Sequence, residues 1–150
     1  MTQTPAAMDW RGALSPTLDD IDSLAQDAFA RLSPHFRDRC AGVLIRVDDF
    51  PADDVLDDLG AESPYDILGL YQGVSIAGRE NALPASPDMI FLYRRPILDY
   101  WAEYEESLGF LITHVLVHEI GHHFGLSDAD METIEADAGD AAASGVLPPG

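Results

Sequence analysis

Apolar residues fall at helical spacing near the start of the chain. Leu18, Ile21, Leu24, Ala25, Ala28, Phe29 and Leu32 share one side of a helix, and Asp19, Asp20, Asp22 and Asp27 take the other. This predicts an amphipathic helix over 18–32 that covers a core face. Thr17, with Asp20 three residues on, reads as a variant capping box that opens it, and Ser33-Pro34 as its stop. The pattern then changes period. Val43-Leu44-Ile45-Arg46-Val47 is a β-branched run that predicts a strand, and Met89-Ile90-Phe91-Leu92-Tyr93 a second, bounded by Pro87-Asp88 and Arg94-Arg95-Pro96. Between them, Val55, Leu56 and Leu59 are expected to face inward from a short helix whose other side is acidic. Ile67 to Ile76 reads as a turn of helix or a loop leading into a strand, with Gly69 and Gly73 marking close backbone approach. Residues 78–87 read as a loop.

Pro96 is expected to start another helix, packing through Ile97, Leu98, Tyr100, Trp101 and Tyr104. The last long element should run over 107–124, with Ser107 as its N-cap. Leu108, Phe110, Leu111, Ile112, Val115, Leu116, Val117, Ile120 and Phe124 go almost all the way round that cylinder, which marks a central buried helix. One more short helix is expected over 128–138. Residues 1–14 and 139–150 carry little pattern and read as loose ends of a single domain covering 1–150.

Length and composition narrow the class. A chain of 150 residues with 47% apolar content is enough for one domain with a sizeable core. The formal net charge is -19, and every basic residue among the 8 is Arg. Such a chain repels phosphate backbones and anionic lipid, so neither nucleic acid nor membrane is an expected partner. The most apolar run, 108–126, is long enough for a bilayer but holds His114, His118, Glu119, His122 and His123, which argues for a buried helix instead. Cys40 is the sole cysteine, so an intrachain disulfide is excluded and a buried structural thiol is expected. With no basic start and apolar stretch at the N-terminus, the expectation is a cytoplasmic protein, monomeric or weakly oligomeric.

The predicted central helix carries the chemistry. His118-Glu119-Ile120-Gly121-His122 is H-E-x-x-H, extended through Gly125 to Asp128. Positions four apart share a helix face, so His118 and His122 can present two imidazoles to one metal ion. Glu119 sits about 100° further round, within reach of a water on that metal without ligating it. Gly125 suits the end of the helix, and Asp128 is the expected third ligand, with Asp130 as the fallback. Two neutral imidazoles and a carboxylate leave a fourth position for water on one Zn2+ ion, which suits hydrolysis with Glu119 as general base. Alternatively, Ser127 is a helix cap and Asp128 adds only charge to its first turn. His114 lies on the same stripe but is expected in the cleft or behind the ligands, and His123, about 100° from His122, in a hydrogen-bonded position in the core or behind the ligands. Tyr65, Tyr71 and Tyr93 are candidate oxyanion donors, read first as packing residues. The acidic run from Asp48 to Asp58 lacks the alternation and central Gly of a calcium loop.

The stretch Val117-His118-Glu119-Ile120-Gly121-His122-His123-Phe124-Gly125-Leu126-Ser127-Asp128 resembles the zincin metallopeptidases. It is similar in particular to a small bacterial zincin-like family described as predicted zinc-dependent proteases with a matrix-metalloprotease-like domain. Leu68-Gly69-Leu70-Tyr71-Gln72-Gly73-Val74 and Ile90-Phe91-Leu92-Tyr93-Arg94-Arg95-Pro96 resemble segments of the same family, and the likeness covers roughly 17–135. The resemblance implies a minimal α+β fold, a small mixed sheet packed on the active-site helix. It also implies His118, His122 and Asp128 as ligands and Glu119 as base. Two departures stand out: the metzincins carry His in place of Asp128, and no Met-turn is assignable, since Met131 follows Asp128 by only three residues.

The leading expectation is therefore a zinc metallopeptidase acting on a peptide or protein. Its substrate would add as a strand to a sheet edge, at 75–79 or at Met89–Tyr93. The alternative is a non-catalytic zincin-fold binding protein whose metal site is empty or structural. A third reading, a metal-dependent endoribonuclease, shares the spacing of His118, His122 and Asp128 but lacks the Glu and conflicts with the charge.

Overall fold

The computed structural model describes residues 9–40, 42–73, 88–124 and Ala129, with the side chains of His35, His123 and Phe124 excepted. Among these residues the fold is α+β, with five α-helices and a three-stranded mixed sheet.

Helix α1 spans Leu18–Ala30, and its start is the predicted capping box. The Asp20 N–H donates to the Thr17 hydroxyl oxygen at 3.1 Å, and the Thr17 N–H donates to the Asp20 carboxylate at 2.8 Å. Ile21, Ala25, Ala28 and Leu32 are buried, as the periodicity requires. The Ser33-Pro34 stop is also a start. Helix α2, Pro34–Arg39, uses Ser33 as N-cap and Pro34 in its first turn. It ends at Cys40, whose thiol is buried and pushed up to about 11 by that burial.

Strand β1 is Leu44–Asp48, β2 is Gly69–Gln72 and β3 is Met89–Tyr93, in the order β1-β3-β2. β1 runs parallel to β3, with Ile45 opposite Ile90 and Val47 opposite Leu92. β2 runs antiparallel to β3, with Leu70 opposite Phe91. On β3, Ile90 and Leu92 enter the core, while Phe91 and Tyr93 stack along the other side at 6.2 Å. Both edges of β3 are therefore paired. This corrects the expectation that Met89–Tyr93 offers an edge to an added strand: its backbone groups are spent within the sheet. The other expected edge, 75–79, the loop over 78–87, the helix over 128–138 and the tail from 139 lie outside the described residues.

Between β1 and β2 come α3, Asp53–Leu59, and a 3-10 turn, Pro64–Asp66. Val55 and Leu56 are half-buried as expected, but Leu59 is 53% exposed. It sits at the last position before Gly60, where the backbone turns left-handed and ends the helix. Helix α4, Arg94–Glu103, starts two residues before Pro96, directly on the end of β3. Pro96 and Ile97 are buried, whereas Tyr104, just beyond the helix, is half exposed and packs its ring on Tyr100 at 4.3 Å. Arg94 clasps the start of the chain: its guanidinium donates to the Pro16 carbonyl, to Ser15 Oγ and to Asp49 Oδ1.

Helix α5, Leu108–Phe124, is the long element. Ser107 caps it, accepting from the Phe110 N–H at 3.1 Å. α5 packs on α1, β2, β3 and α4, and Leu111, Ile112, Leu116, Val117 and Ile120 are fully buried. The expected central helix is thus the one the sheet and α1 close over. At the other end of the chain, Trp10–Gly12 is a 3-10 turn with no buried residue.

Candidate active site

One stripe of α5 borders a cleft of about 550 Å³, with Leu111 and Val115 shared between the cleft lining and the core. Leu111, His114, Val115, His118, Glu119 and His122 all line it. These positions step by three or four residues, so one straight helix presents them in a single row. Residues 66–71, leading through β2, also line it, together with Leu59 of α3 and Tyr100 of α4.

His118 and His122 stand side by side, their ring centroids 4.8 Å apart and their planes inclined at 66°. His114 lies one turn further back, 6.4 Å from His118 and nearly parallel to it. It belongs to the cleft, as the stripe predicts. Glu119 is only 5% exposed although it is an acid. Its Oε1 lies 3.2 Å from His122 Nδ1, and its carboxylate accepts the backbone N–H of Tyr71 in β2. Burial raises the Glu119 carboxyl above its ordinary value, and the neighbouring His118 and the Tyr71 N–H oppose that rise.

β2 can come this close because its first residue has no side chain. A Cβ on Gly69 would stand 2.8 Å from Val115 Cγ1 and 3.2 Å from Glu119 Cγ and from the Phe91 carbonyl oxygen. Gly73, at the other end of β2, is equally constrained, because a Cβ there would meet Asp88 Oδ1 at 2.3 Å. Both close approaches expected from the glycine spacing are real. The Tyr71 N–H could not have been read from the sequence, since a backbone donor leaves no mark on residue identity.

The tyrosines fall apart as a group. Tyr65 is part-exposed and packs edge-on against Phe50 at 5.1 Å. Tyr93 is buried, and its hydroxyl is pushed up to about 12, first by burial and then by Asp48, Glu119 and Asp54. Of the three, only Tyr71 lines the cleft. Tyr100 lines it too, without any motif to announce it. Asp128 and Asp130 lie outside the described residues, as does the side chain of His123. Among the described residues no three His, Cys, Asp or Glu side chains converge as a metal cage. None of the described helices is long and apolar enough to cross a membrane.

A row of two histidines with a buried glutamate between them, held under an antiparallel strand, is a specific arrangement. The model of the zincin-like metallopeptidase family matches residues 40–138, about two-thirds of the chain. The chain belongs to the zincin-like metallopeptidases. The five helices and small mixed sheet fit the minimal zincin-like fold that the resemblance implied. No curated protein sequence matches the chain. For a zincin-like metallopeptidase the match covers β1 through α5 and continues past the described end of that helix, so the whole cleft wall falls inside it.

Proposed function

We propose that this zincin-like protein is a zinc-dependent peptidase in which His118, His122 and Asp128 hold one zinc ion and Glu119 is the general base. The observation that carries the reading is the pairing of His118 and His122 on the cleft face of α5 beside a buried Glu119. Two imidazoles and a carboxylate are the donor chemistry that zinc takes in hydrolytic sites. When bound, the metal supplies Lewis acidity that acidifies water and polarises a carbonyl.

The protein's own groups supply the rest. Glu119 is placed to take a proton at one carboxylate oxygen and return it to a leaving amine. The Tyr71 N–H fixes its orientation from β2, and the contact with His122 Nδ1 holds that ring in turn. The apolar walls of the cleft exclude water from the reacting bond. Among the described residues β2 is the sheet edge on the cleft side, so an extended peptide is best received along β2.

The alternative, a binding protein with an empty or structural site, predicts a different outcome in one experiment. Protein purified without added metal or chelator is analysed for zinc and then assayed on quenched peptides. The peptidase reading expects about one zinc per chain and cleavage that disappears in Glu119→Gln while the zinc stays. Zinc without cleavage, or equal cleavage by the variant, overturns it.

A further inference from the structure

The cleft lining holds two carboxylates, Glu119 and Asp66, in opposite surroundings. Glu119 is buried and already engaged by the Tyr71 N–H and by His122. Asp66 is exposed. Its Oδ2 accepts the Ser63 N–H at 3.0 Å, which leaves acceptor sites on both of its oxygens. Among the described residues no Arg pairs with it. No Arg lines the cleft, and the chain has no Lys.

The exposed acid is held in place. It closes the 3-10 turn Pro64–Asp66 and forms a capping box with Ser63, and its own N–H donates to the Ser63 carbonyl at 3.1 Å. Beside it, the Tyr65 ring packs edge-on against Phe50, and the Arg95 guanidinium from the start of α4 lies 5.5 Å from the Phe50 ring centroid. A carboxylate on a braced turn loses little further freedom when it meets a ligand. Its distance from the chemistry is bounded by the chain itself. Gly69 follows Asp66 by three residues, a span of at most about 11 Å. Gly69 is also the residue whose Cβ would stand 3.2 Å from Glu119 Cγ. Asp66 therefore lies within a few residues of extended chain from the proposed base.

Apolar surface adjoins it in the lining. Leu59, at the end of α3, is 53% exposed and lines the cleft, and so does half-buried Ile67, the next residue after Asp66. Lysine and arginine carry an apolar stem and a cationic head, and the head is drawn to a carboxylate. An acidic side chain would meet repulsion at the same place. A peptide laid along β2 passes this turn where the strand begins.

We propose that Asp66 is a specificity-determining residue, receiving the cationic head of a Lys or Arg side chain of the bound peptide while the stem lies on Leu59 and Ile67. This rests on the peptidase reading for its use, but it can be tested by binding alone. Because Asp66 is exposed, its discrimination is a matter of a few-fold in affinity and is screened by salt.

The test uses full-length protein carrying Glu119→Gln, so that nothing is turned over. Calorimetry compares capped peptides in which one position at a time is Arg or citrulline, a neutral side chain of the same shape. At the position that meets Asp66, Arg is expected to bind about threefold more tightly at low salt, and the difference to shrink as salt is raised. Adding Asp66→Asn, which keeps an oxygen for the Ser63 N–H and removes the charge, is expected to abolish the difference, and Asp66→Glu to keep most of it. Asp38→Asn, exposed on α2 and outside the cleft lining, removes the same net charge and is expected to change nothing. Circular dichroism checks that each variant is folded, and Asp66→Ser replaces the Asn variant if that one is not. Equal affinity for Arg and citrulline at every position, or no binding of either, overturns the proposal. So does a preference that survives Asp66→Asn or falls equally in Asp38→Asn, which would trace it to the overall negative charge. If the preference depends on Asp66 but the wild-type zinc protein cleaves none of these peptides, the specificity site stands and the peptidase reading falls. Cleavage with no preference at any position does the reverse.

Discussion

The two faces of α5 are built from the same backbone and serve opposite ends. One face carries Ile112, Leu116 and Ile120, each fully buried, and it packs into the core shared with α1 and the sheet. The other carries His114, His118, Glu119 and His122 and lines the cleft. The first is held by aliphatic burial, worth roughly 1.5–3 kcal/mol for each side chain. The second puts imidazoles and a nearly buried acid where hydrophobic side chains would be more stable. The core face lets the helix tolerate the other. A site of this kind is precise because it sits on an element that the rest of the fold cannot release.

That contrast can be broken from either side. The largest effect on stability is expected from Leu116→Ala, which leaves a cavity behind the helix. Denaturant unfolding of the zinc-free protein should show a loss of about 2–5 kcal/mol. His122→Ala on the opposite face should cost under about 1 kcal/mol in the same measurement, while abolishing zinc retention. Similar losses from both would show that the two faces are not separable.

Next in size is Gly69→Ala, which acts between the faces. The added methyl meets Val115 and Glu119 side chains and a backbone carbonyl that cannot easily move. Overpacking of this sort costs about 1–3 kcal/mol, and peptide hydrolysis should fall further than the stability loss explains, because Glu119 is displaced. A variant with full activity and unchanged stability would mean that β2 does not hold Glu119 in place.

A smaller effect is expected at the start of α1, far from the cleft. Thr17→Ala removes the capping hydroxyl and should lower stability by about 1 kcal/mol, with kcat/KM unchanged. The smallest, absent near neutral pH, concerns two buried acids away from the cleft lining. Cys40 is raised from 9.0 to about 11 and Tyr93 from 10.0 to about 12. Both bind their protons more tightly folded than unfolded, so their contribution is complete below pH 9 and is lost as pH rises towards 12. A pH series of melting temperatures should fall across that window, and Cys40→Ala should flatten its lower part.

The same contrast explains what could be read from the residues alone. Spacing along one helix is local, so His118, Glu119 and His122 were legible as a set, as were the Thr17 and Ser107 caps and strands β1 and β3. What joins distant parts was not. The central place of β3 depends on which strands pair, and its composition is that of any apolar strand. Helix α2 has one large apolar residue, Phe36, and no periodic stripe, so Ser33-Pro34 read only as a stop. Leu59 looked like a core residue because its exposure is set by a cleft built from other elements. The Tyr71 backbone donor and the place of Tyr100 in the cleft lining carry no motif.

The central claim is that the histidine face of α5 is a zinc site served by Glu119. The most direct measurement is zinc stoichiometry together with peptide hydrolysis for wild type and Glu119→Gln, side by side. The account predicts about one zinc in both proteins and a loss of hydrolysis of roughly 10²–10⁴-fold in the variant. Undiminished hydrolysis by a variant that still holds its zinc would contradict it.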